Sequence, residues 1–514
     1  MLSVAVALAL FTRFGINSVL SRDEGIYAYG GQQLAHGVPP YVSIFDVKAP
    51  VATMVAGLAA WTARLVGRND LYLIRAAFFA CAVLTVLALY LLVARLFAST
   101  LAGLTAAVVL SASWPFAADA LAGPDAKTPG VLFAVVTMWL MCRRQWFWAA
   151  LAGALAFLVW QPLALYPFVV VLVALATSRE HRWRNGGLAI AGAAVPVLLT
   201  AVYYALAGAL EELVEATLLF PLTGVERTTE TISHRLTRIA GVVDRYYGFG
   251  GALFWAGMVA LVLVVLVHLA RRRRTLGSAL AAPVVSAVLV TLLLQVGYAA
   301  TDFQSYPDLY PLLPYPAIGL GGAVAGLVAA LRVSVARALA ATAVLAALAV
   351  LTVASWVSFT EDPRNDDGLR AQLASACAVR RLQVPGTPVW SMGDPAVLVL
   401  THRTNPDRFV YLTSGVDRWK IAHTPGGFRE WTRQVEAAGP SVVVIHSWGG
   451  PVRRRMGVWL REHGYQAGFV GKWRVLLTPE AGTRATSQQV KVTSGPTEFA
   501  AAPGGRELPW KGCG

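Results

Sequence analysis

The chain has 514 residues, 56% of them hydrophobic and only 14% charged, where a soluble globular chain carries about 25% charged residues. The apolar residues come in runs of about 20, the length that spans a bilayer, which excludes an ordinary soluble enzyme. The formal net charge of +15 does not point to nucleic acid: the arginines sit at the ends of apolar segments (Arg143–Arg144, Arg179 to Arg184, Arg271 to Arg274), the positive-inside pattern of a membrane protein beside anionic lipid headgroups.

In chain order, residues 1–20 are apolar from Met1, without a basic n-region, and read as a retained first helix rather than a signal peptide. Further spans are predicted at 50–67, 71–95, 101–118, 128–142, 146–177, 187–207, 248–270, 278–300, 308–330 and 337–358. The stretch 146–177 is too long for one helix and holds Gln161–Pro162 near its middle, so it is expected to be a hairpin of two, giving roughly 12 segments. The basic loops at 143–145, 179–186, 271–275 and 332–337 should be cytoplasmic. Residues 208–247 and everything after 358 then face outward. One conflict arises. Counting from a cytoplasmic N-terminus puts 119–127 inside, whereas counting back from Arg143–Arg144 puts it outside, so one segment between 71 and 118 is expected not to cross fully.

From 359 to 480 charged residues return. Strand-like runs are read at Thr387 to Ser391, Ala396 to Leu400, Phe409 to Leu412, Ser441 to His446 and Trp473 to Thr478, with helical patterns at 368–382, 427–438 and 452–463. The alternation predicts a small extracytoplasmic α/β domain with a mainly parallel sheet. Residues 481–514, rich in Thr, Ser, Gly and Pro, are expected to be a disordered tail. The expected architecture is therefore mainly α: a polytopic helical bundle over 1–358, followed by the α/β domain and the tail. Cys81 and Cys142 fall in or beside apolar segments, whereas Cys377 and Cys513 would share the outer compartment, free or paired. No spacing suits a zinc site.

The chemistry concentrates between Ser21 and Pro50, SRDEGIYAYGGQQLAHGVPPYVSIFDVKAP. Tyr27, Gly30, Gly31 and Leu34 recur at helical spacing, so 24–36 is predicted to be a short helix lying along the interface. Asp23 and Glu24 stand at its mouth; Asp46 and Lys48 precede Pro50, which opens the next span. A carboxylate there can act as general base or orient an acceptor hydroxyl. A cation in the same loop can hold the phosphate of a lipid-linked substrate as it leaves. The same residues have plainer uses: Asp23 and Glu24 suit a helix N-terminus, and Lys48 suits the interface as a snorkelling side chain. A divalent cation on the paired carboxylates is also open, although an oxygen-ligand site needs more partners than the loop names.

The order of features resembles the first luminal loop of the GT-C glycosyltransferases, which include the protein O-mannosyltransferases and the aminoarabinose transferases. Asp23–Glu24, Tyr27, Gly37 to Tyr41, Lys48-Ala49-Pro50, and the turn Gly67 to Asp70 with Arg75 carry the likeness. It implies transfer of a sugar from a polyprenyl-phosphate donor at the outer membrane face, with Asp23 as the catalytic carboxylate and Lys48 against the donor phosphate. Glu24 and Tyr27 would support the site, with Tyr41 and Asp46 in the same loop. A second acidic position is expected at Asp125, with Asp119 as the alternative; Asp125 also suits a helix N-cap. Tyr306 and Tyr310, in a segment where the family often carries a cation, are candidate substrate contacts; belt tyrosines are the plainer reading. The segment 208–247 reads as an amphipathic lid or a solvated connector, with Arg227 as a candidate phosphate ligand.

The reading is an inverting membrane glycosyltransferase of the plasma membrane, its partners a polyprenyl-phosphate sugar, an extracytoplasmic acceptor and membrane lipids, with no nucleic acid. A secondary transporter or lipid-linked-sugar flippase is the alternative. It should show charges in mid-membrane and broken helices in matched halves, whereas the polar residues here gather in one outer loop.

Overall fold

The computed structural model describes residues 1–177, 180–225, 230–272, 283–361 and 368–496. The chain starts with α1 (Leu2–Phe11), α2 (Arg22–Ala35), α3 (Val51–Leu65), α4 (Asp70–Phe97), α5 (Thr100–Ser111), α6 (Trp114–Ala122) and α7 (Lys127–Cys142). Among the described residues four helices are long and apolar enough to cross a membrane: α4, Arg182–Leu206, Phe249–Val267 and Ser334–Thr360. Two further apolar pairs are each a broken span or a re-entrant loop, α5 with α6 bent by 69° and Tyr306–Leu312 with Pro314–Ala330 bent by 42°. The stretch 146–177 is broken at Gln161–Pro162, as its length requires, into Trp146–Val159, a 3-10 turn Gln161–Ala164, and Leu165–Thr177.

The conflict in the inside–outside count bears on two places in the structure: the pair α5 and α6, bent by 69° within the stretch 71–118, and the helix read as the span 50–67. Helix α3 lies alongside α2 over its whole length. A Cβ on Gly30 would meet the Thr53 side chain, one on Gly31 would meet Ala56, and one on Gly57 would meet Leu34. At the far end of α3, Arg64 donates to the Ala35 carbonyl, and Asp70 accepts from Gln32 Nε2 at 3.0 Å. Helix α2 in turn packs on the C-terminal part, where Tyr29 accepts from the Asn405 N–H and Gln32 donates to the Val399 carbonyl, and the end of the bundle where these meet is called here the loop end. The exposed face of α3 carries Leu58, Trp61, Leu65 and Val66, an apolar stripe suited to lying in the membrane surface. Counted without α3, the spans put 119–127 at the loop end and Arg143–Arg144 at the opposite one.

The C-terminal part builds a four-stranded sheet in the order β1-β2-β4-β3, from β1 (Val389–Met392), β2 (Val442–Ile445), β3 (Gln466–Val470) and β4 (Trp473–Leu477). Only β1 and β2 pair in parallel; β4 runs antiparallel to both β2 and β3. The expectation of a mainly parallel sheet is thus corrected, because β3 and β4 form a hairpin turning at Gly471, with φ +60°. The run Ala396 to Leu400 is helical (Ala396–Thr401) rather than a strand: buried throughout, it is fixed by packing rather than by β propensity. Phe409 to Leu412 carries no strand. The helices at Gly368–Leu382, Gly427–Ala438 and Gly450–Glu462 match the sequence patterns. Past 480 the chain continues in the helix Pro479–Ser487, capped by Thr478, where a tail was expected. Cys81 and Cys142 are free thiols and Cys377 is disulfide-bonded; Cys513 lies outside the described residues.

The loop and the C-terminal part share a core. Tyr41 and Phe45 pack with Tyr204, Phe220, Trp390, Phe409 and Trp419. Arg408 clasps the two, with Nη1 donating to the Tyr41 carbonyl at 3.3 Å and Nη2 bonded to Glu215, while its guanidinium lies 5.7 Å over the Phe45 ring and 5.0 Å over the Phe409 ring.

Candidate active site at the loop end

Helix α2 begins where its sequence says it should. Ser21 accepts from the Glu24 N–H at 3.3 Å, and the Glu24 carboxylate accepts from the Ser21 N–H at 2.9 Å, a complete capping box. Glu24 thus has the plainer of its two expected roles. Burial pushes its pKa up to about 7, with Asp119 and Asp125 adding to the rise against Arg75 and the Ser21 hydrogen bond. A Cβ on Gly123 would come within 2.6 Å of the Glu24 carboxyl carbon. Glycine lets the α6–α7 connection pass this close without displacing the Glu24 side chain, and that passage brings Asp119 and Asp125 to the mouth of α2.

Asp23 is free to meet a substrate: its side chain is 51% exposed, and Arg22 Nε holds Oδ1 at 2.8 Å. Burial works to raise its pKa, but the charges of Arg22, Lys48 and Lys127 outweigh that, so the carboxylate titrates below its ordinary range. Lys48 donates from Nζ to the Tyr27 hydroxyl at 2.7 Å. Burial pulls the Lys48 pKa down, yet Asp125, Asp46 and Asp23 raise it above the ordinary lysine value, so it stays an ammonium. Asp46 accepts from the Lys48 N–H at 3.2 Å, and burial pushes its pKa up to about 6. Tyr41 stands at φ +69°, a left-handed conformation that costs a bulky residue about 1–3 kcal/mol. Its hydroxyl donates to the Lys48 carbonyl at 2.7 Å and its ring is buried, which offsets that cost and fixes the Lys48 backbone. Burial drives the Tyr27 and Tyr41 pKa values well above the ordinary range, so both remain neutral hydroxyls.

Asp125 joins this group. Its Oδ1 accepts from the Lys127 N–H at 2.6 Å, the cap-like role its sequence allowed, while its charge reaches Lys48, Tyr27 and Glu24. Tyr306 and Tyr310 meet the other acidic residue: both hydroxyls donate to Asp119, Tyr306 at 3.3 Å. Arg227 lies outside the described residues. The segment after it supplies an amphipathic helix, Ile232–Tyr247, anchored through Arg235 to the carbonyls of Ala300 and Thr301. Among the described residues no group of three or more His, Cys, Asp or Glu side chains is arranged to hold a metal ion.

Two participants were missed in the sequence. Lys127 is buried and ion-paired with Asp308 at 3.2 Å; it supplies the cation that the segment 301–316 lacks. Tyr411, from the C-terminal part, carries the Arg22 guanidinium 4.9 Å over its ring and lies close enough to bear on Lys48 and Tyr27. The apolar pattern around Lys127 hid the first, and only the folded chain brings the second to the loop.

Comparison with known proteins bears on the fold that carries these residues. The sequence model of the family described as dolichyl-phosphate-mannose-protein mannosyltransferase matches residues 48–204, a stretch that begins at Lys48 and so leaves Asp23 outside it. No curated protein matches in sequence. ArnT from Cupriavidus metallidurans superimposes in its apo state with a TM-score of 0.62 at 17% identity, over 93% of this chain and 97% of that one. The same protein bound to undecaprenyl phosphate gives 0.61 at 16% identity, over 92% and 97%. The archaeal oligosaccharyltransferase AglB from Archaeoglobus fulgidus, in complex with an inhibitory peptide and a dolichol-phosphate, gives 0.52 at 15% identity, over 91% of this chain and 72% of that one. The chain has the GT-C fold of ArnT and AglB.

Proposed function

We propose that the chain is a membrane glycosyltransferase that moves a sugar from a polyprenyl-phosphate donor to an acceptor outside the cytoplasm. One observation carries the reading: a half-buried ammonium, Lys48, set among Asp23, Asp46 and Asp125, with Asp23 half exposed at the mouth of α2. ArnT and AglB, which share the fold, have been seen with undecaprenyl phosphate and a dolichol-phosphate. Family-model residues that begin at Lys48 support the same donor class. The basic residues Arg143, Arg144, Arg182 and Arg184 fall at the bundle end opposite the loop, which by the positive-inside rule favours a cytoplasmic face there.

The reaction follows from the charges. The donor phosphate lies against Lys48, whose ammonium keeps its hydrogen bond to the Tyr27 hydroxyl and gives another N–H to a phosphate oxygen. The acceptor hydroxyl donates a hydrogen bond to Asp23. As the acceptor oxygen bonds to the anomeric carbon, the carbon–oxygen bond to phosphate breaks with its electron pair, and the acceptor proton passes to Asp23. A carboxylate of low pKa is a weak base toward a free hydroxyl. It acts late, once bond formation has acidified that hydroxyl, and before then its charge stabilises the cationic sugar. One displacement inverts the anomeric centre; a base and a separate leaving-group cation fit this better than the paired carboxylates of retaining chemistry.

The test is donor consumption by the purified full chain in a panel of polyprenyl-phosphate sugars, with sealed vesicles in parallel to detect translocation. Release of polyprenyl phosphate with a new glycosidic product supports the reading. Movement of intact donor across the vesicle without bond cleavage would place the flippase reading first.

A further inference from the structure

Lys127 has no part in the reaction as written, yet its position is costly. Its side chain is 8% exposed and faces Asp308, 9% exposed, at 3.2 Å, with its ammonium 5.6 Å from the centre of the Trp160 ring. A buried ion pair of this kind is roughly neutral for stability against apolar residues of the same size, so stability does not account for it. The pairing is lopsided. Asp308 Oδ2 already accepts from the N–H groups of Gln304 at 2.7 Å and Ser305 at 3.0 Å. Asp308 therefore keeps two backbone donors if Lys127 leaves it. Lys127 itself is held by its backbone, through Asp125, and its charge already reaches Asp23.

The proposed reaction creates a need for such a cation. A donor phosphodiester carries one negative charge, whereas the released phosphate monoester carries about 1.5 to 2 near pH 7. Lys48 can match the first charge but is shared among three carboxylates. We propose that Lys127 is the second phosphate ligand of the site: its ammonium leaves Asp308 for the polyprenyl phosphate and takes up the charge that develops as the sugar–phosphate bond breaks. Asp308 is the competitor that wins Lys127 back and so helps the product depart. Such a contact is stronger for the leaving group than for the donor, which is the kind that accelerates a reaction.

This assignment rests on the glycosyltransferase reading, and its test separates the two. The dissociation constants of undecaprenyl phosphate and of undecaprenol are measured for the detergent-solubilised full chain as wild type, Lys127→Gln, Lys127→Arg and Asp308→Asn. Loss of a charge-assisted hydrogen bond predicts about 10- to 100-fold weaker undecaprenyl phosphate binding in Lys127→Gln, with undecaprenol unchanged. Lys127→Arg should restore most of the affinity, and Asp308→Asn should tighten the phosphate at least about threefold by freeing the amine. Wild-type affinity in Lys127→Gln, equal losses for both lipids, or no tightening in Asp308→Asn would each overturn the assignment while leaving the reading intact. A wild type that does not prefer the phosphate over the alcohol would overturn both.

Discussion

The seam between α2 and α3 sets the distance from Asp23 to Lys48, and one methyl group tests it. Asp23 rides on the first turn of α2, and Lys48 lies two residues before Pro50, where α3 starts. A Cβ on Gly31 would stand 2.7 Å from the Ala56 Cβ and 2.8 to 2.9 Å from the Ala56–Gly57 backbone. Ordinary contact begins at 3.4 Å, so Gly31→Ala forces the helices apart by about 0.7 Å, since backbone cannot yield as a flexible side chain does. Overpacking of this kind costs about 1–3 kcal/mol. A displacement approaching 1 Å at reacting groups costs about 100-fold in rate. The expected outcome is a melting temperature lower by a few degrees and a transfer rate lower by about 10- to 100-fold. Gly187→Ala serves as control: it lies in the helix Arg182–Leu206 with nothing within 4 Å of its added Cβ, so neither quantity should fall. The assay is thermal unfolding in detergent beside sugar transfer from a polyprenyl-phosphate donor. A Gly31→Ala protein that melts and turns over like wild type would refute the reasoning.

Three further outcomes are expected. Tyr27→Phe removes the hydroxyl that accepts from Lys48 and should lower kcat/KM for the donor by about 10-fold or more, the worth of a hydrogen bond to a charged group, as read by donor titration. Glu24 has a folded-state pKa of about 7 against an ordinary 4.5, the rise coming from burial; the folded chain therefore binds the extra proton, and this contribution to stability is lost as pH rises from about 4.5 through 7. Thermal unfolding across that window should show a decline that Glu24→Gln flattens, since glutamine keeps the cap and removes the titration. Arg408→Ala leaves Glu215 with Trp419 as its remaining partner and takes away the clasp on Tyr41; limited proteolysis should become faster between 37 and 47, at a cost below the about 3–5 kcal/mol of a fully buried pair, since both side chains keep some exposure.

Much of the loop end is legible from residue order, because α2 is signalled by local chemistry: a capping box at Ser21–Glu24 opens the helix Arg22–Ala35, whose apolar positions recur at helical spacing. Asp23, Lys48 and Asp125 come together because they flank the first turns of α2, α3 and α7. The rest depends on distant parts of the chain. Hydropathy gives the length of α3 but not that it lies along α2; the contact of Gly31 with Ala56 and of Asp70 with Gln32 places it there. Lys127 sits at the head of an apolar helix, and its partner Asp308 follows only after several spans. Ala396 to Thr401 is rich in valine and leucine, as strands are, yet is helical because it packs against α2, where Pro395 meets Gly25. β3 contains Gly468 and two exposed residues, so its composition gives little strand signal; pairing with β4 makes it one.

The central claim is that the exposed carboxylate at the mouth of α2 takes the acceptor's proton. The most direct measurement compares wild type with Asp23→Asn for transfer of radiolabelled sugar from its polyprenyl-phosphate donor in membranes. Asparagine keeps the size and the contact with Arg22 but cannot hold the proton. Labelled product should fall by about 100-fold or more in the variant, within the usual range for loss of a general base. Equal labelling by the two proteins would contradict the account and leave Asp23 as no more than a helix-end charge.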